Sequence, residues 1–213
     1  MTRETRRVPM REAITALAER DAHLRHILEA HGPPPGRPHD RGFPGLMRII
    51  LAQQIATGAA RAIHARLQAA CPDMSAAAFL ALDDATLRAV GLSRGKIAYG
   101  RALAEAVAGG ALDFRRLHRQ GDEAAIAAIS GIKGLGRWSA QMYLLFALKR
   151  PDIWPTGDLA VRRGLAAAKG LEADPEPAEM ERLAEPWRPY RSAAARLMWH
   201  YYGTLHGRDA TPD

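Results

Sequence analysis

The sequence contains very little cysteine. Among its 213 residues the single thiol is Cys71. One cysteine excludes an internal disulfide framework, a cysteine-based zinc site and a four-cysteine iron–sulfur cluster. We therefore expect Cys71 to be a small structural residue and look for function among other residue types.

Long apolar runs are also missing. No stretch approaches the roughly 20 apolar residues that a membrane-spanning helix needs. The first residues, MTRETRRVPMREA, lack the apolar segment of a secretory signal. We therefore expect a soluble cytoplasmic protein without membrane association. Alternation of apolar and polar residues over useful lengths is absent too, and this absence favours an all-α fold.

Charge of the two signs is not balanced. Thirty Lys and Arg residues stand against 23 Asp and Glu residues, which gives a net charge of +7. A positive balance favours a polyanionic partner such as nucleic acid, although many basic proteins bind none. The apolar share of 47% is enough to bury a sizeable core as one domain or two small lobes.

Apolar residues recur with helical spacing through most of the chain, and turn residues separate the segments. The proline-rich segment 32–42 is predicted to be a loop. The predicted helices cover residues 10–30, 43–51, 58–70, 75–82, 84–90, 92–107, 113–120, 123–130, 138–148, 159–168, 178–185 and 190–202.

Two glycines, Gly134 and Gly136, lie between two of these helices. Glycines at this spacing let the backbone adopt positive φ and bring no Cβ near a ligand. The amides that open the following helix can then approach a phosphate oxygen. Two glycines between helices also make an ordinary turn, so both interpretations stay open on these residues alone.

A carboxylate stands just before the predicted helix 159–168. Asp158 follows the loop WPTG and precedes LAVRRGL, so its simplest role is that of a helix N-cap. A carboxylate at a helix N-terminus is also held rigid and kept anionic by the helix dipole. The structural and the chemical interpretation of Asp158 are therefore compatible.

Several segments, in one order, resemble the helix-hairpin-helix DNA glycosylase superfamily, and within it the alkyladenine (3-methyladenine DNA glycosylase II) branch. They span about residues 43–202 and read FPGLMRIILAQQIATGAA, GLSRGKIAY, GIKGLGRWSAQM, PTGDLAVRRGL and WRPYRSAAARLMWHYY. The resemblance implies an all-α, two-lobed helix-hairpin-helix glycosylase fold with a central cleft. In it, 1–42 is an N-terminal helix and loop packing on the second lobe, 43–203 is the core with its hairpin at 130–148, and 204–213 is a flexible tail.

The resemblance also implies an activity. It indicates a monofunctional DNA glycosylase that flips alkylated purines, such as 3-methyladenine and 7-methylguanine, out of duplex DNA. Hydrolysis of the N-glycosidic bond then leaves an abasic site in base-excision repair. The expected partner is double-stranded DNA with damaged bases. The protein is expected to be a monomer and to be associated with the nucleoid when it is bound to DNA. The alternatives are a glycosylase for another lesion and a non-catalytic DNA-binding module.

By resemblance, each candidate site residue has a role. Asp158 is the catalytic residue, because a fixed carboxylate near C1′ of deoxyribose can stabilise oxocarbenium-like charge and orient or deprotonate water. Aromatic faces select positively charged purines by stacking and cation–π attraction. The implied base pocket consists of Trp138, Met142 and Trp199, although core packing is the usual role of a lone tryptophan. The implied DNA contacts are Gln53, Gln54, Gly134, Gly136, Arg137 and Ser139.

Gln54 matches the wedge that fills the vacated base stack, although from composition alone Gln53 and Gln54 also fit a solvated helix end. Relatives with lyase activity carry a lysine at the position of Trp138, so no lyase activity is expected here. The resemblance further implies a structural Na⁺ or K⁺ at hairpin carbonyls, and no cofactor is required. The carbonyls are those of Ser130, Ile132 and Leu135.

Overall fold

The computed structural model describes residues 8–36, 39–207 and 210–212. These residues form helices and loops without any β-strand, so the predicted all-α class is confirmed. By spatial contact the chain divides into two compact units. Unit 1 takes its described residues from Met1–Arg37 and Lys149–Thr211, and unit 2 takes them from Pro38–Leu148 and Pro212–Asp213.

In unit 1 the N-terminal helices pack with helices that lie after residue 149 in the chain. The expected division into 1–42, 43–203 and 204–213 stays a prediction. The predicted central cleft stays a prediction. No helix in the described ranges is long and apolar enough to cross a membrane.

Thirteen α-helices are present in the described residues, together with a π-helical turn at Tyr143–Ala147 and a 3₁₀ turn at Glu185–Trp187. The α-helices are α1 (Met10–Arg20), α2 (Ala22–His31), α3 (Phe43–Ala52), α4 (Thr57–Ala70), α5 (Ala76–Ala81), α6 (Asp84–Ala89), α7 (Arg94–Ala108), α8 (Phe114–Arg119), α9 (Asp122–Ser130), α10 (Arg137–Met142), α11 (Leu159–Lys169), α12 (Pro177–Ala184) and α13 (Arg191–Leu205).

The single helix predicted over 10–30 is wrong, because Asp21 divides it into α1 and α2. Asp21 adopts an extended conformation, and its side chain accepts hydrogen bonds from the amides of His23 and Leu24. Its other carboxylate oxygen accepts from Lys169 Nζ at 2.7 Å and from Trp187 Nε1 at 2.9 Å. An N-cap thus joins three separate segments of unit 1 through one carboxylate.

In unit 1, α13 packs against α11, α2 and α1. The contact with α11 is very close, since a Cβ atom at Gly164 would lie 2.5 Å from the carbonyl oxygen of Met198. Only a residue without a side chain allows the two backbones to approach so closely. Gly164 therefore sets the separation of α11 and α13.

In unit 2, α3 packs against α4, α7 and α10. The core side of α3 is apolar and fully buried at Leu46, Met47 and Ile50. At its C-terminal end the buried ammonium of Lys96 donates to the carbonyl oxygen of Leu51. Burial lowers the pKa of Lys96. A cation at this end satisfies a helix-terminal carbonyl and complements the helix dipole, and it fixes the exit of α3 just before Gln53.

Candidate active site

Asp158 is the N-cap of α11, as the sequence predicts. Its Oδ1 atom accepts hydrogen bonds from the amides of Ala160 at 3.0 Å and Val161 at 2.9 Å. The same oxygen accepts a third bond from Trp199 Nε1 at 2.9 Å. The side chain is 8% exposed. Three donors on one oxygen hold the carboxylate in a single orientation. A carboxylate fixed in this way is a preorganised negative charge.

Trp199 lies on α13 and is fully buried. Its indole reaches Asp158 because α11 and α13 are packed together at Gly164. Periodicity along one helix cannot predict this hydrogen bond, since the two residues are 41 positions apart. The described contact makes Trp199 a partner of the carboxylate, and its expected place in a base pocket stays a prediction.

The two hairpin glycines in unit 2 differ in conformation. Gly134 has φ of +89°, and a Cβ atom there would lie 2.1 Å from Cγ of Tyr99. Gly136 has φ of −91° and caps α10, and nothing lies within 4 Å of where its Cβ atom would be. Glycine is therefore needed at 134 for backbone conformation and close packing. At 136 its effect is to leave the space before α10 open.

Gln53 ties the end of α3 to this hairpin. Its Nε2 atom donates to the carbonyl oxygen of Gly134 at 2.9 Å and to Oγ of Ser139 at 3.3 Å. We call Gln53, Gly134 and Ser139 the hairpin cluster. Ser139 is buried, and in this structure its hydroxyl oxygen accepts the hydrogen bond from Gln53. The cluster fixes the loop after α3 against the start of α10.

The other expected DNA contacts lie around this cluster. Gln54 is exposed and adopts a left-handed conformation with φ of +58°, which is uncommon for a residue other than glycine. Arg137 is 59% exposed and forms a bidentate ion pair with Glu123 at 2.9 and 2.7 Å. A surface pair of this kind contributes little to stability and leaves the guanidinium accessible. The DNA roles of these residues stay predictions.

The remaining pocket candidates are buried to different degrees. Trp138 is half-buried on α10. Met142 is 1% exposed and lines a cavity of about 10 Å³ together with Tyr143 and Phe146. Met142 therefore belongs to the core of unit 2 in this structure. Its role beside a base stays a prediction, as does that of Trp138.

The cation expected at the hairpin stays a prediction, and two of its expected ligand residues can be described. Oγ of Ser130 is buried without a hydrogen-bond partner among the described residues, and the carbonyl oxygen of Ile132 accepts from the amide of Leu135 at 3.0 Å. A hydroxyl and carbonyls are ligands that hard cations prefer. No cluster of three or more His, Cys, Asp or Glu side chains suited to a metal exists in the described residues.

Comparisons with known proteins show what the chain is similar to. Residues 47–189 match the family described as HhH-GPD superfamily base excision DNA repair protein. The alkylbase DNA glycosidase-like protein mag2 of Schizosaccharomyces pombe is 28% identical over 180 residues, which cover 81% of this chain and 84% of that protein. DNA-3-methyladenine glycosylase 1 of the same organism is 31% identical over 158 residues, which cover 72% of this chain and 69% of that protein.

A solved structure is similar over nearly the whole chain. It is the S. pombe 3-methyladenine DNA glycosylase Mag1 in complex with abasic DNA, with a TM-score of 0.80 and 28% sequence identity. The match covers 94% of this chain and 99% of that one. With the family match extending over residues 47–189, this chain belongs to the HhH-GPD superfamily of base excision DNA repair proteins.

Proposed function

We propose that this protein is a monofunctional DNA glycosylase that removes alkylated purines from duplex DNA as a monomer. The observation that carries the proposal is the carboxylate of Asp158, held on one oxygen by three donors at the start of α11. A DNA-3-methyladenine glycosylase of S. pombe is among the relatives named above, and Mag1 was solved with abasic DNA, the product that base release leaves.

The chemistry follows from the charge of the substrate. When the bond between C1′ and the purine nitrogen breaks, its electron pair passes to the alkylated base and neutralises the positive charge there. C1′ becomes oxocarbenium-like, and the anionic carboxylate of Asp158 stabilises it. Water then bonds to C1′ and gives its proton to the carboxylate or to solvent. No strong general acid is needed, because the base leaves neutral.

The hairpin supplies the grip on DNA in this proposal. Gly134 shapes the turn, and Gly136 leaves open the space before the amides of α10. Backbone amides at a helix start bind phosphate oxygens without reading sequence. Gln53 keeps the loop that carries Gln54 attached to this turn. In the proposal Gln54 enters the duplex at the extruded nucleotide, and Trp138 stacks on the base.

No strand cleavage belongs to the proposed activity. A lyase forms a Schiff base with a lysine, and the position at which related lyases carry it is occupied by Trp138. We also propose that Na⁺ or K⁺ binds the hairpin oxygens around Ser130, Ile132 and Leu135. The cation would neutralise their partial negative charge beside the DNA backbone, and the residues of the chain carry out hydrolysis.

The proposal is tested by incubating the protein with duplexes that contain 7-methylguanine, 3-methyladenine or hypoxanthine. Free base is measured by chromatography, and strand cleavage by gel electrophoresis with and without alkali. We expect base release with alkali-dependent cleavage only. Release of no base from any of the three duplexes, with DNA binding retained, would replace the proposal by a non-catalytic DNA-binding module. Cleavage without alkali would overturn the monofunctional assignment.

A further inference from the structure

A second cavity of unit 2 lies beside the loop between α3 and α4. Its volume is about 60 Å³, and it is lined by Arg48, Ala52, Ala60, Arg61 and His64. Arg48 and Ala52 belong to α3, and the other three belong to α4. The cavity thus has two alanine walls and three nitrogen-rich side chains. None of these residues is part of the hairpin cluster.

The three polar side chains at this cavity, Arg48, Arg61 and His64, are hydrogen-bond donors or can become donors. Each guanidinium carries five N–H groups in a fixed plane, so it can bind an oxyanion while keeping other partners. His64 adds an imidazole whose Nε2 atom is buried and has no hydrogen-bond partner. A buried polar nitrogen without a partner is uncommon in proteins. When Nε2 carries a proton, as it does in the imidazolium, it can donate to an acceptor placed in the cavity.

The charged groups around His64 are Arg48 on α3, Arg61 on α4 and Asp40 before α3. Burial lowers the pKa of His64, and the positive charge of Arg48 lowers it further, while Asp40 acts in the opposite direction. Arg61 stands one helical turn before His64 on the same helix. The site therefore disfavours a further positive charge and favours an anion.

The size of the cavity restricts the ligand. A volume of about 60 Å³ accommodates roughly four water-sized groups, since one such group needs about 10–15 Å³ by the same measure. This is suited to one tetrahedral oxyanion and too small for a nucleoside base. Alanines at 52 and 60 keep the space open.

We propose that Arg48, Arg61 and His64 form a binding site for one phosphate group. Ala52 directly precedes Gln53, and Ala60 lies in the first turn of α4, so the site adjoins the loop assigned above to DNA. The phosphate is that of a DNA backbone or a free phosphate ion. The DNA source rests on the proposed function, whereas binding of the free ion does not.

The test follows the imidazole of His64 by NMR at constant ionic strength. The Hε1–Cε1 resonance is assigned with the variant His64→Gln, and inorganic phosphate then replaces chloride stepwise. We expect a saturable shift of this resonance and a higher pKa of His64 with phosphate present, because an anion stabilises the imidazolium. Arg61→Met, at an exposed position, should lose the saturable shift.

The matched control is Arg119→Met, which removes the same charge from an exposed position of α8 in unit 2. This variant should keep the saturable response to phosphate. The absence of any saturable shift in the parent protein, with either phosphate or DNA, overturns the site. A shift that persists unchanged in Arg61→Met also overturns it.

An undamaged duplex distinguishes the two phosphate sources. If the duplex moves the His64 resonance and displaces the response to inorganic phosphate, the group is a backbone phosphate. The slope of log K against log salt should then decrease by about 1 in Arg61→Met relative to Arg119→Met. If only inorganic phosphate acts, the site binds a free ion. If the parent protein binds phosphate at this site but releases no base from damaged duplexes, the proposed function is refuted and the phosphate site is not.

Discussion

The observed role of Asp158 as a helix cap and its proposed role as a catalytic anion can be separated by two substitutions. Asp158→Asn keeps an oxygen that accepts from the amides of Ala160 and Val161 and from Trp199, but it removes the charge. Asp158→Ala removes both the charge and the acceptor. If the carboxylate acts on the sugar, the two variants should lose activity alike and differ in stability.

The stability effects follow from the hydrogen bonds. Loss of an N-cap costs about 0.5–2 kcal/mol, and the buried indole N–H left unpaired in Asp158→Ala costs about 1–3 kcal/mol more. For a chain of this length each kcal/mol lowers Tm by roughly 2–4 °C, so we expect a decrease of about 3–20 °C in the alanine variant. Asparagine is nearly equal to aspartate as an N-cap, and Asp158→Asn should lie within about 4 °C of the parent.

The activity effects follow from the charge. Removing one group that stabilises transition-state charge typically lowers the rate about 10²–10³-fold. Single-turnover release of 7-methylguanine, with fluorescence anisotropy for DNA binding, should show this loss in both variants while binding survives. If Asp158→Asn releases base within about threefold of the parent rate, the carboxylate is only a helix cap and the catalytic assignment fails.

The remaining predictions concern the neighbouring contacts. Trp199→Phe should lower the rate about 3- to 30-fold by loosening the carboxylate, and by the same factor for each lesion; a factor that depends on the lesion would instead indicate a wall of the base pocket. Gly134→Ala should lower Tm and weaken DNA binding, because its Cβ atom would overlap Tyr99. Gly136→Ala should weaken DNA binding but leave Tm within about 2 °C of the parent. Equal melting curves for the two variants would contradict the geometry. In Asp21, burial raises the pKa but hydrogen bonds from Lys169 and Trp187 lower it, and the net direction is down. Its contribution to stability is therefore present at neutral pH and lost as pH falls below about 4. Asp21→Asn should lower Tm by about 4–12 °C at pH 7 and by less at pH 3. If the difference in Tm between Asp21→Asn and the parent is as large at pH 3 as at pH 7, the ion pair is unimportant.

Much of the fold could be predicted from local patterns, because helical periodicity, N-caps and glycines act over a few residues. Asp158 was expected to cap a helix, and it does. The predicted helix over 10–30 failed where a long-range contact decided the outcome, since Asp21 is extended and bound to Lys169 and Trp187. Spacing of apolar residues carries no information on such a partner.

The candidate site shows the same limit. Gly134 and Gly136 are the same residue type, yet of the two only Gly134 has positive φ, and only at Gly134 would a Cβ atom overlap Tyr99. From composition alone, Gln53 and Gln54 also fitted a solvated helix end. Gln53 finds partners in the hairpin cluster and Gln54 is exposed. Each outcome depends on residues distant in the chain, which only the three-dimensional structure identifies.

The close contact of α11 and α13 at Gly164 has a practical meaning for protein engineering. Any side chain at 164 would push the two backbones apart and take the indole of Trp199 away from its acceptor. A mutant library aimed at a different lesion preference should therefore keep positions 158, 164 and 199 constant. Diversity belongs at Gln54 and Trp138, which are not fully buried.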